Sequence, residues 1–346
     1  MKQTDERQIS DDSLSKVSLG SLTTLSVHPY QGELGSEEGG GSELLAVGHQ
    51  HYEAGEFAAA AAALMAAQVA YETEANDLGR VRALYQLSLA LYAQGDYEQA
   101  VVTAQAALEL AVSLAEPQLT AQLLGHLGNA YRHQDNYDAA ITVQQQSLQS
   151  FRNLQDSAGV VAALNNLGLA YRAKGDLRYA IEMQQQALRI AKQAGDRYTE
   201  SQILKNIGNA YYGLGEYDKA MKYYEQRLVA SRELGDQRGE AQILRNLCNA
   251  ARAAGERELA ITYSQQRLAI ARELGDHRAE EQALASLGVA YDALGDYQAA
   301  VNYYEQRLSA ARTLADPRLE QQALSSLRVA CYALGDYARM AQYEEA

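Results

Sequence analysis

The stretch LKNIGNAYYGLGEYDKA, Leu204 to Ala220, is written again forty residues later as LRNLCNAARAAGERELA, Leu244 to Ala260. Glycine keeps that lattice at Gly55, Gly95, Gly175, Gly215, Gly255, Gly295 and Gly335, and Asp135 breaks it. Ala60, Ala100, Ala140, Ala180, Ala220, Ala260 and Ala300 follow the same interval, as do the aromatic residues Phe57, Tyr97, Tyr137, Tyr217, Tyr297 and Tyr337. A self-similar period of about 20 to 50 residues marks stacked repeats, each burying its apolar face against its neighbours. The spacing predicts seven 40-residue repeats and a truncated eighth over residues 41–346.

Each unit reads as two helices. Ile203, Leu204, Ile207, Ala210 and Tyr211 share one helical face, and Gly215 supplies a left-handed cap where that helix ends. A second helix is predicted from about Tyr217 to Leu234. Gly235 with Asp236 closes it and opens the next unit, as do Gly195 with Asp196 and Gly275 with Asp276, because Gly tolerates positive φ and Asp caps a following N-terminus. Gly208 and Ala220 fall where the two helices of a hairpin approach most closely, and a larger side chain there would wedge them apart.

Composition agrees with an all-α class: hydrophobic residues make up 47% of the chain, with three prolines and no tryptophan. Thirty Lys and Arg stand against 44 Asp and Glu, and the net charge of −14 opposes binding to nucleic acid or anionic lipid. Cys248 and Cys331 are too sparse for a disulfide framework, which points to a reducing cytoplasm. No apolar run approaches the roughly 20 residues that span a bilayer. The opening MKQTDERQISDD is polar and acidic, and predicts neither a signal peptide nor a membrane anchor. Residues 1–40 lack apolar side chains at helical spacing and are expected to be a disordered acidic tail.

These residues resemble the tetratricopeptide repeat, whose Leu-Gly pair, aromatic, Gly-x-aromatic turn and Ala stand here as Leu127, Gly128, Tyr131, Tyr137 and Ala140 and as Leu287, Gly288, Tyr291, Gly295, Tyr297 and Ala300. The 40-residue period and the strings HLGNAY and NIGNAY are similar to the longer-helix variety of Leu-Gly-Asn adaptors and kinesin light chains. The string YYEQRLVASRELGDQRGE resembles bacterial members, cyanobacterial ones among them. The resemblance implies a right-handed α-solenoid, a superhelix whose first helices line a concave groove that holds extended peptides or partner helices.

Aligned on the lattice, the groove-facing rows carry Asn129, Arg132, Asn165, Asn166, Arg172, Lys205, Asn206, Asn209, Arg245, Asn246, Asn249 and Arg252, where a core face would carry Leu and Ile. These groups pair with the amides, carbonyls and carboxylates of an extended chain; a solvated polar face would also account for Asn there, but its coincidence with Lys and Arg favours the binding reading. Lys205, Asn209 and Asn246 are similar to the first three members of a clamp by which some relatives hold a C-terminal carboxylate. The remaining Lys and Arg would fall at Gln282 and Ser286, so an acidic run or a backbone held by Asn amides is the expected ligand.

Other candidates reduce to packing. His49 and His51 point to different faces and make poor metal geometry. Cys248 replaces a motif Gly and Cys331 a motif Tyr, so both read as packing residues without a catalytic partner. Arg227, Arg267 and Arg307 recur on the second helix, read either as a second binding stripe or as stems on apolar surface with tips paired to acids. The pairs Tyr223–Tyr224 and Tyr303–Tyr304 sit at core spacing. No phosphate loop or nucleophile motif occurs, and neither enzyme activity nor a cofactor is expected. The predicted function is a cytoplasmic adaptor or assembly chaperone that holds an acidic extended segment of a partner protein. The alternative is a peptide-sensing regulator whose superhelix changes shape on binding. Either Tyr332, Met340 and Tyr343 close the last unit poorly and invite end-to-end association, or the partner caps it.

Overall fold

The computed structural model describes residues 40–343, which form sixteen helices and no strand. Two compact units divide between Thr199 and Glu200. The first contains α1 (Gly40–Glu53), α2 (Phe57–Thr73), α3 (Asp77–Gln94), α4 (Tyr97–Ser113), α5 (Pro117–His133), α6 (Tyr137–Asn153), α7 (Ser157–Lys174) and α8 (Leu177–Ala194). The division falls in α9 (Arg197–Gly213), and the second unit runs on through α10 (Tyr217–Glu233), α11 (Gln237–Ala254), α12 (Arg257–Glu273) and α13 (His277–Leu294). It continues with α14 (Tyr297–Thr313), α15 (Pro317–Leu334) and the six-residue α16 (Tyr337–Gln342). Consecutive helices pack on one another from α1 to α8 and from α10 to α16, the pattern of an α-solenoid built from hairpins. The tail expected over residues 1–40 lies outside the described residues apart from Gly40, which starts α1.

The turns follow from backbone chemistry. Gly215 has φ +74°, and Asp135, which breaks the glycine lattice, takes the same left-handed conformation at φ +58°. Asp tolerates that region because its short polar side chain bonds locally, so the hairpin survives without Gly. Asp236 and Asp276 cap α11 and α13 as predicted, each accepting a backbone N–H three residues on at 2.9 Å.

Inside each hairpin, side-chain volumes are matched. The alanine lattice is buried, none of its members more than 4% exposed. A Cβ added to Gly208 would lie 2.4 Å from the Tyr224 ring, and one at Gly288 would lie 2.3 Å from Tyr304. In the first unit Gly128 and Gly168 are covered in the same way by Gln144 and Gln184. Where the first helix carries the larger Cys248, the second shrinks to Ser264, with Sγ 3.0 Å from Oγ. The close approach expected at Gly208 is therefore filled by one large side chain from the second helix, at the density of a native interior. Cys331 is buried as well. At the last hairpin Met340 and Tyr343 pack on the core while Tyr332 is exposed.

Candidate binding site

The first unit places most of its predicted contact residues inside. Asn129, Asn165 and Asn166 are buried, which corrects their reading as open groove groups. The physical reason lies on the second helices: Gln144 Nε2 donates to the Gly125 carbonyl at 2.7 Å and lies 3.4 Å from Asn129 Oδ1, and Gln184 Nε2 donates to the Asn165 carbonyl at 3.0 Å. This row is a hydrogen-bonded helix contact. Half-buried Arg132 lies with its Nη2 3.0 Å from His133 Nε2. Buried His126 belongs to the same cluster, and desolvation pushes its pKa down to about 4. Arg172 alone among the five is exposed.

The second unit leaves more of the predicted residues accessible. Lys205, Asn206, Asn209, Asn246 and Asn249 are half-buried, and Arg245 and Arg252 are exposed. Asn209 accepts from the Tyr224 hydroxyl at 2.8 Å and Asn246 from Gln242 at 3.3 Å, so both already have an intramolecular use. Arg245, Asn249 and Arg252 stand at i, i+4 and i+7 on α11 and share one face. Neither arginine forms an ion pair or side-chain hydrogen bond among the described residues.

The second-helix arginines depart from expectation. Arg227 and Arg267 are only 9% and 7% exposed, too buried for a surface stripe. Tips paired to acids hold for Arg307 alone, whose Nε lies 2.7 Å from Glu281 Oε1 between the two helices of its own hairpin, α13 and α14. The residues forty and eighty positions earlier than Glu281 are Ala241 and Ser201. Arg227 Nε accordingly donates to Ser201 Oγ at 3.3 Å, and Arg267 has no carboxylate in that place. Its Nη2 donates to Gln282 Oε1 at 2.7 Å. Burial first, and the positive charge of Arg245 second, lower the Arg267 pKa from its ordinary value.

Arg267 lines a pocket of about 340 Å³ between α11, α12 and α13, together with Arg238, Gln242, Arg245, Arg278 and Gln282. The one acidic residue in the wall, Asp276, caps the Ala279 N–H. Arg278 is 3.5 Å from Asp316, while Arg238 and Arg245 make no ion pair. Of this pocket the ladder reading contained only Arg245. The missed signal was the residue 26 positions before each second-helix arginine, the separation of the Arg307–Glu281 pair.

With this geometry in view, the tetratricopeptide repeat family model matches residues 119–193, 160–233 and 239–313, and a second tetratricopeptide repeat model matches residues 81–111. The chain belongs to the tetratricopeptide repeat family. No curated protein matches it by sequence. Among solved structures it is similar to a signal transduction ATPase with a tetratricopeptide repeat sensor from Pyrococcus horikoshii, at TM-score 0.64 and 17% identity over 95% of this chain. It spans about half of that protein, 49%. A Rap protein complexed with competence and sporulation factor matches at TM-score 0.52 and 16% identity, over 80% of this chain and 76% of that one. Kinesin light chain TPR-like repeats from Podosopora anserina match at 0.51 and 19%, over 56% and 96%. Identities this low bear on the fold alone. The matching family models are repeat models and indicate no catalytic family. Among the described residues no helix is long and apolar enough to cross a membrane.

Proposed function

We propose that this chain is a non-enzymatic binding module that holds an extended acidic segment of a partner protein or peptide on the first-helix face of its second unit. The observation that carries this reading is the stripe of Arg245, Asn249 and Arg252, where two exposed arginines lack an intramolecular acid. In the same unit Arg232, Arg272 and Arg312 are each paired to a Glu at 2.7–2.8 Å. Unpaired guanidinium groups on one helix face suit bidentate contact with carboxylates, and the Asn amide suits a peptide backbone. A second reading, a peptide-sensing regulator, draws support from the sensor and factor-bound proteins among the similar structures.

The test is an array of N-acetylated, C-amidated peptides, acidic against neutral, with Arg245→Glu and Arg252→Glu combined. Acidic peptides should bind and the double variant should lose at least about 2 kcal/mol if the contacts are desolvated, or under about 1 if they are rim contacts. Unchanged affinity removes this face as the site. A sensor responds to the free peptide with a shift in hydrogen-exchange protection away from α11; an adaptor shows protection at α11 only.

A further inference from the structure

The three second-helix arginines are one experiment performed three times on the same backbone. At Arg307 the guanidinium is anchored by Gln322 at 3.2 Å through Nη2 and completed by Glu281 at 2.7 Å through Nε. Arg267 has the corresponding anchor, Gln282 at 2.7 Å, and lacks the completing carboxylate because Ala241 stands there. Asp276 and Glu281 favour the Arg267 charge from a distance, but among the described residues no carboxylate contacts it, and a cation at 7% exposure without such a contact is costly. What lies beside it is an opening of about 340 Å³ whose wall holds three further arginines. Arg238 and Arg245 add positive charge that forms no ion pair among the described residues, which strengthens the attraction for an anion.

Given a peptide ligand as proposed above, the geometry points to one acidic side-chain carboxylate of that ligand entering this pocket and taking, beside Arg267, the place that Glu281 takes beside Arg307. The chain's own completed copy selects the chemistry: a planar carboxylate meets Nε at hydrogen-bond distance while the Gln holds Nη2 in orientation. The pocket joins the N-terminal part of α11 to Arg245, so a segment lying along Arg245 and Arg252 has a side chain's reach to Arg267. The site is distinct from a clamp on the first-helix rows because its central group comes from a second helix.

Ala241→Glu tests the assignment by supplying the missing carboxylate from within. The probe is penta-glutamate acetylated and amidated at its ends, titrated calorimetrically at low salt, beside a neutral pentapeptide with a free C-terminus and beside inorganic phosphate. Penta-glutamate should bind, and Ala241→Glu should weaken it at least tenfold while raising the unliganded Tm. Ala253→Glu, which adds the same charge on α11 outside the pocket, should weaken it no more than threefold. Should Ala241→Glu fail to fold, Arg267→Gln is expected to give the same tenfold loss. Binding unchanged by either variant overturns the proposal, as does binding of phosphate or of the free C-terminus in place of penta-glutamate. Loss in Ala241→Glu with no effect of Arg252→Glu upholds the pocket and removes the extended first-helix face. The reverse pattern upholds that face and removes the pocket.

Discussion

At one position of the 40-residue lattice the first unit holds Ala67, Ala107, Ser147 and Ala187, and the second holds Arg227, Arg267 and Arg307. The four small residues are buried, and Ser147 Oγ donates to the Ala121 carbonyl at 2.8 Å. There the first helices of successive hairpins also touch, α1 with α3, α3 with α5 and α5 with α7, whereas α11 and α13 approach less closely. The same hairpin thus supports two interiors. At that position one is closed by the small neutral side chains of Ala and Ser. The other is wedged by guanidinium groups whose partners differ from hairpin to hairpin, and a pocket opens beside one of them. A repeat backbone sets where side chains meet, while the chemistry at the meeting point is free to diverge.

The sharpest way to break this contrast is to remove the arginines singly. Arg307→Met strands Glu281, which is 4% exposed, and should cost about 3–5 kcal/mol. Arg267→Met strands no acid and should change stability by less than about 1 kcal/mol in either direction, read from denaturant midpoints without ligand. Equal losses would mean that Arg267 is already compensated and that the two units differ only in side-chain size.

Acid should single out the first unit. His126 stays neutral in the fold down to about pH 4, while in the unfolded chain it protonates near 6.5. Unfolding therefore takes up a proton in that window, and stability falls as pH drops from about 6.5 to 4, by up to about 3 kcal/mol. Amide exchange in α5 should accelerate over that range, and His126→Gln should reduce the response without abolishing it, because burial lowers the pKa of His133 in the same helix to about 4 as well. Exchange rising first in α11 to α14 would reverse the assignment.

A smaller effect separates the two kinds of hairpin filling. Gly208→Ala pushes a Cβ against the rigid Tyr224 ring at 2.4 Å and should cost about 1–3 kcal/mol. Gly168→Ala meets Gln184 Nε2 at 2.7 Å and Cγ at 2.8 Å and disturbs its bond to the Asn165 carbonyl, but the unbranched side chain can turn about its own torsions and Ala has the better helix propensity, so the cost should be smaller, about 1 kcal/mol. Thermal melts of the two variants measure the difference.

Much of the architecture was legible because its determinants are local. The lattice of Gly215 and its equivalents, the Asp236 and Asp276 caps, and the periodic face of Ile203 to Tyr211 each act within a few residues. The site was less legible because exposure on a first helix is decided by what crosses it. Asn129 and Asn165 carry the right chemistry for an open ladder, yet Gln144 and Gln184 reach them from positions 15 and 19 residues away. Residue type along one helix does not contain that information. The pocket was recoverable from sequence only by pairing residues between the two helices of a hairpin, Arg307 with Glu281 and then Arg267 with Ala241, a separation at which single-helix periodicity is silent.

The matched volumes inside a hairpin and the charges across a junction fare differently when genes are rearranged. Gly208 and Tyr224, or Cys248 and Ser264, lie within one 40-residue segment, so duplicating, deleting or transplanting a whole hairpin carries both members together. Arg232 and Glu240, or Arg267 and Gln282, lie in different segments, and the same event assigns each a new neighbour. A splice between hairpins therefore preserves the folding of every module while redrawing the charge at its seams. Arg267 has a neighbour of each kind, Ala241 inside its own segment and Gln282 in the next, so such a splice would change one side of its surroundings and leave the other as it is.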